Sequence, residues 1–177
     1  MNRLTGVLKS FYCAGRGIAF CLRHERHFRI HLCATAYVMY FASFYDFTRT
    51  DYAVLILTCA LVIAMEIINT SVEVVIDKVS PRYNVFAMIG KDLAAGAVLF
   101  SAIGAIAVGV FMFWDIGTFV KIFEYFTADV IRPLILAATI IVSLIFIFRA
   151  KPRKLGNKRS KGNFLRKISP RHCCQGL

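Results

Sequence analysis

Leu93–Trp114 contains no charged residue, and a run of that kind leaves a chain few ways to fold. A helix needs about 20 predominantly apolar residues to cross a hydrocarbon core roughly 30 Å thick. Three further stretches approach that standard. Tyr52–Ile76 is long enough but carries carboxylates, Pro133–Phe148 is uncharged between Arg132 and Arg149, and Leu32–Tyr45 is uncharged but short. The short stretch spans only if Arg29 and His31 snorkel at one end and Phe44, Tyr45 and Phe47 occupy the opposite interface. The chain has 177 residues, 58% of them hydrophobic, where a soluble domain has about 45–50%. An all-α integral membrane protein is the expectation.

Charge sets the orientation. The formal net charge is +12, and all of the 22 Lys and Arg except Arg49, Lys121 and Arg132 fall in three places. These are the first 31 residues, the Lys78–Lys91 region and the tail after Phe148. The basic blocks flank apolar spans as cytoplasmic loops do, which argues against a nucleic-acid binder. Four spans put every basic block and both termini on the cytoplasmic side; three would send the basic tail outward. Residues 2–26 repeat Leu4, Leu8, Phe11, Ile18 and Leu22 at helical spacing, with Lys9, Arg16 and Arg23 on another face. That is an amphipathic helix suited to the headgroup layer.

The layout is therefore a membrane domain over 1–114, with a surface helix at 2–26 and spans near 29–47, 52–78 and 86–114. An external connector and a fourth span follow over 115–149. The basic tail, 150–177, has no acidic residue and is expected to be disordered and drawn to anionic lipid. The first 25 residues lack the continuous apolar core of a signal peptide. Six cysteines form neither a CxxC pair nor a zinc-spaced cluster.

The anomaly lies in MEIINTSVEVVID, Met65–Asp77, which sets Glu66, Asn69, Glu73 and Asp77 in an oily run. At 100° per residue, Glu73 falls about 20° to one side of Glu66 and Asp77 about 20° to the other, so the three share one stripe. The stripe is about 16 Å long and descends from mid-membrane to the cytoplasmic boundary. Each intramembrane carboxylate costs roughly 2.5–3.5 kcal/mol on insertion scales, so such residues mark function by default. Pro81 ends the helix, and GKDLAAGAVL opens the next with Lys91, Asp92 and small residues that let helices approach. A hairpin of the two spans brings Lys91 toward Asp77 and Glu73, with Glu25 at the same depth. Carboxylates suit Mg2+, and lysine with magnesium suits nucleotide phosphates. The residues alone leave three readings open: phosphoryl transfer to a lipid alcohol, an ion or proton path, and a network that only braces helices. No GxxxxGK[ST] or GxGxxG occurs, so the phosphate site is neither a P-loop nor a protein-kinase loop.

EIINTSVEVVID followed by KDLAAGAVL resembles the paired signature of the prokaryotic diacylglycerol kinase family. ERHFRIHL, Glu25–Leu32, resembles that of its Gram-positive, undecaprenol kinase-like branch. The likeness covers about residues 2–114. It implies a homotrimeric bacterial plasma-membrane kinase with a surface helix and three spans, using MgATP at sites between subunits. By the same likeness Glu66 is the general base, with Asn69 positioning it and the reacting groups. Glu25 and Glu73 hold magnesium, Asp77 and Asp92 support the nucleotide site, and Lys91 meets the phosphates. Lys9 and Gly17 fall where the surface helix meets nucleotide. Undecaprenol is the expected acceptor and diacylglycerol the alternative. Cys13 stands where the family often has tyrosine, with Tyr12 one position early, which turns that side chain by about 100°. His31 replaces an acid found in the diacylglycerol branch, and this favours the polyprenol.

Overall fold

The computed structural model describes residues 3–80 and 84–150, with side chains from residue 6. Pro81, Arg82 and the basic tail beyond Ala150 lie outside the described residues, as do the expectations attached to them. Six helices are described, and no strand: α1 Arg3–His24, α2 Arg26–Ala42, α3 Arg49–Val79, α4 Val85–Phe113, α5 Ile116–Thr127 and α6 Ile131–Phe148. The described residues fall into two compact units, one holding α1 and Glu25, the other Arg26–Arg149.

α1 matches the expected surface helix but stops at His24. Glu25 follows outside it, its N–H donating to the Cys21 carbonyl at 2.8 Å. Leu8, Phe11 and Ile18 stay exposed, as a helix that rests its apolar side on lipid requires. In the second unit α3 and α4 pack as a hairpin, α2 lies along α3, α6 against α2, and α5 against α6.

Caps explain the boundaries. The Thr48 hydroxyl accepts from Asp51 N–H at 3.3 Å while the Asp51 carboxylate accepts from Thr48 N–H at 2.8 Å. This reciprocal box satisfies two of the donors that a helix start leaves open. Asn84 caps α4 through Phe86 N–H, and Asp115 caps α5 through the N–H groups of Gly117 and Thr118. Tyr45 Oη donates to the Phe113 carbonyl at 3.0 Å and Tyr52 Oη to the Ala42 carbonyl at 3.2 Å. Those two tyrosines close the ends of α4 and α2, where carbonyls lack partners in their own helix.

The first span is corrected. α2 has 17 residues, about 25 Å of helix, and it ends at Ala42 rather than near residue 47. Ser43, Phe44 and Tyr45 tighten into turns onto Tyr40, Phe41 and Ala42. Both residues expected to snorkel make contacts within the bundle. Arg29 is buried and donates to the Phe146 carbonyl near the end of α6, with its guanidinium 4.7 Å from the Phe146 ring. His31 turns to α3. Among the described residues, three helices are long and apolar enough to cross a membrane: α3, α4 and α6. The fourth apolar stretch is thus a helix of spanning composition, with Pro133 in its first turn, where a missing N–H costs little. α5 occupies what reads in the sequence as a connector. Its signal is present in hindsight, because Asp115 caps a segment whose Phe119, Ile122, Phe123 and Phe126 recur at helical spacing.

The buried positions of α3 are Leu55, Val62, Glu66 and Thr70. They form one stripe that begins apolar and becomes polar toward Asp77, so the fold buries the carboxylate on the face that elsewhere buries leucine and valine.

Candidate active site

Glu66 is only 4% exposed. Its place one helical turn from Val62 and from Thr70 follows from the 3.6-residue period, so no loop is needed to hold it. His31 Nε2 lies 3.6 Å from Glu66 Oε1. The packing of α2 on α3 makes that pair, because the two residues are far apart in sequence. One turn further along, Asn69 Nδ2 donates to Glu73 Oε1 at 3.4 Å. At the end of the stripe Lys91 of α4 forms an ion pair with Asp77 of α3, both half-exposed. The hairpin therefore delivers the juxtaposition of Lys91 and Asp77 that its spacing suggests. Asp92 is exposed beside Lys91.

The site runs from a dry carboxylate at Glu66, through the half-buried Glu73, to a charged pair reached by water at Asp77 and Lys91. A buried base is insulated from bulk proton exchange, and a charged mouth attracts phosphates. Asn69 Oδ1 is buried with no hydrogen-bond partner among the described residues. A buried amide oxygen in that state is rare and points to something that would bind it. With the Glu73 carboxylate one turn away it offers hard oxygen donors of the kind Mg2+ takes. No group of three or more His, Cys, Asp or Glu gathers among the described residues. Magnesium does not need one, because it is commonly held by one or two carboxylates, water and substrate phosphates.

Lys9, Gly17 and Glu25 belong to the unit of α1. A Cβ built on Gly17 meets nothing within 4 Å, so that stretch of α1 presents an open surface. Tyr12 is exposed, with the Arg16 guanidinium 5.8 Å from its ring centre. What the sequence does not reveal is the contact of His31 with Glu66; there His31 serves as a span-end residue and as a clue to the acceptor. Local spacing carries no trace of which helix α2 packs against.

Long apolar helices, one of them carrying a stripe of carboxylates, mark an integral-membrane protein. A family model for prokaryotic diacylglycerol kinase matches residues 12–113. The chain belongs to the prokaryotic diacylglycerol kinase family, a family of membrane lipid kinases. It is 41% identical over 104 residues to a diacylglycerol kinase of Synechocystis sp., covering 58% of this chain and 59% of that protein. It is 30% identical over 112 residues to the undecaprenol kinase of Bacillus subtilis, covering 63% of this chain and 91% of that one. The diacylglycerol kinase of Escherichia coli is 27% identical over 117 residues, covering 64% of this chain and 96% of its own. The match ends at Phe113, so α5 and α6 lie beyond it.

Proposed function

We propose that the protein is an ATP-dependent kinase of a membrane lipid alcohol, with undecaprenol as acceptor and undecaprenyl phosphate as product. The observation that carries this reading is the burial of Glu66 within an apolar helix, with a charged mouth at Asp77 and Lys91. The hydroxyl of the lipid enters from the bilayer and ATP from the cytoplasm. Glu66 takes the hydroxyl proton as the oxygen attacks the γ-phosphorus. The bond from that phosphorus to the β–γ bridging oxygen breaks, and ADP leaves. His31 and Asn69 orient the acidic stripe, Lys91 meets the phosphates, and Asp77 and Asp92 hold Lys91 and the nucleotide side of the site. Glu73 and Glu25 would hold magnesium, which when bound neutralises charge on the phosphoryl oxygens. Lys9 and Gly17 on α1 complete the nucleotide side. Most of the rate then comes from positioning and electrostatics.

His31 supports the polyprenol reading, since by resemblance it stands where the diacylglycerol branch has an acid, and it lies 3.6 Å from Glu66. Identity to the Synechocystis diacylglycerol kinase supports diacylglycerol, which would give phosphatidate. Transfer of label from γ-labelled ATP, with both acceptors offered side by side in vesicles, separates them. Labelled undecaprenyl phosphate in excess supports the first, and labelled phosphatidate the second. No labelled lipid, together with ion flux, would instead mean a transporter with an acidic path. The enzyme works as a homotrimer in the bacterial plasma membrane with its termini in the cytoplasm. The distribution of basic residues supports that orientation. The uncovered apolar surface of α4 supports association with further copies.

A further inference from the structure

α2, α5 and α6 enclose a half-open groove of about 430 Å³ that the proposed reaction does not use. One helical face of α2 supplies Cys33, Ala36 and Tyr40; one face of α6 supplies Ile135, Leu136 and Thr139. The lining is overwhelmingly apolar and includes no acidic side chain. Its single full charge is Arg132, in the first turn of α6, at the end of the bundle away from Glu73 and Lys91. The guanidinium is held in place: it sits 4.2 Å over the Tyr125 ring and donates to the Tyr125 carbonyl at 2.9 Å. Arginine has five N–H donors in a rigid fork, so a cation fixed this way keeps donors for phosphate oxygens. Asp129, the nearest carboxylate in sequence, accepts from Ile131 N–H at 3.1 Å. Further along, Tyr37 Oη and Ser143 Oγ meet at 3.0 Å and tie α2 to α6 across the groove. From Arg132 to Ser143 the groove follows α6 for about 16 Å.

A fixed cation at the end of a membrane helix, with an apolar slot running inward beneath it, has the charge and shape of a phospholipid in reverse. We infer that this groove binds one anionic glycerophospholipid, its phosphate on Arg132 and one acyl chain along the seam of α2 and α6. α2 lies inside the family match, whereas α5 and α6 lie outside it, so the groove exists only where the extension packs on the matched part of the chain. The inference is independent of which alcohol the kinase phosphorylates.

The test uses the full chain in nanodiscs, with phosphatidylglycerol bearing a diazirine in its acyl chain. After illumination, labelled peptides are mapped by mass spectrometry. Unlabelled phosphatidylglycerol or phosphatidylcholine serves as competitor. Label on residues 33–40 and 135–143 is expected, with phosphatidylglycerol competing about tenfold better, because the choline cation of the other lipid offsets the phosphate charge that Arg132 would meet. Arg132→Gln should remove that preference, and Ala36→Trp should remove the label itself by filling the slot. Label confined to other segments of the wild-type chain, or equal competition by the two lipids, overturns the inference without recourse to any variant. So does an unchanged preference in Arg132→Gln.

Discussion

Glu66 is the most exposed to test of any residue, because its burial is costly and its proposed task is narrow. Glu66→Gln keeps the shape and removes the base. Turnover should fall by about 10²–10⁴ while MgATP binding stays near normal, read by label transfer and by nucleotide titration. Near-normal turnover would assign the proton to another group. His31→Asn removes the neighbour 3.6 Å from that carboxylate; kcat should drop while KM for ATP holds, and an unmoved kcat would leave the pair a packing contact. Glu73→Ala should raise the magnesium concentration needed for half-maximal rate; an unaltered requirement removes Glu73 from the metal. The acidic stripe was legible because helical period alone aligns Glu66, Glu73 and Asp77. The partnership with His31 was not, because it depends on which helix packs on which. The bond of Arg29 to the Phe146 carbonyl is hidden for the same reason, since no local pattern points to an acceptor so far along the chain.

Helix ends and helix contacts carry the next predictions. A Cβ on Gly90 would come 3.2 Å from Ile76 Cδ1, so α4 approaches α3 there through a glycine. Gly90→Val should strain the hairpin by about 1–3 kcal/mol, in the range seen for overpacking, and lower the thermal midpoint in detergent. Gly96→Ala, whose Cβ meets nothing within 4 Å, is the contrast and should leave the midpoint unchanged. The small residues near the start of α4 thus do not all serve the contact with α3, although the sequence treats them alike. At the start of α5, hydrogen bonds from the Thr118 side chain and backbone hold the Asp115 carboxyl below its ordinary range. The sign follows: a depressed value stabilises the helix above the unfolded carboxyl's pKa, and the benefit fades as pH falls through the folded one. Amide exchange at Gly117 and Thr118 should therefore quicken, relative to mid-helix amides, as pH drops below about 4. Asp115→Asn should show no such step. α5 is hidden in what reads as a connector because its 12 residues are too few to span, although Lys121 and Glu124 lie opposite its apolar face.

The molecule as a whole leaves much apolar surface uncovered. Phe100 is 81% exposed and Phe111 89%, and α4 buries no residue at all. A helix in that state is stable where lipid or another copy of the chain lies against it. Cutting the chain after Trp114 tests what α5 and α6 contribute. The cut removes the Phe146 carbonyl that Arg29 uses and the Phe148 ring that lies 5.6 Å from Arg26. The shortened protein should lose activity at a lower temperature than the full chain; equal midpoints would show that the extension does not brace α2. The existence of a fourth apolar helix was legible from hydropathy and charge bias, but its attachment to the first span was not, since no local pattern records a contact across so many residues.

That attachment bears on biogenesis. Arg29 and Phe146 are separated by 117 positions, and a ribosome makes them in that order. The first hydrophobic segment reaches the translocon long before its eventual acceptor has been translated. Until then the guanidinium does without that acceptor, so the tie between α2 and α6 can form only after the C-terminal helix has been made.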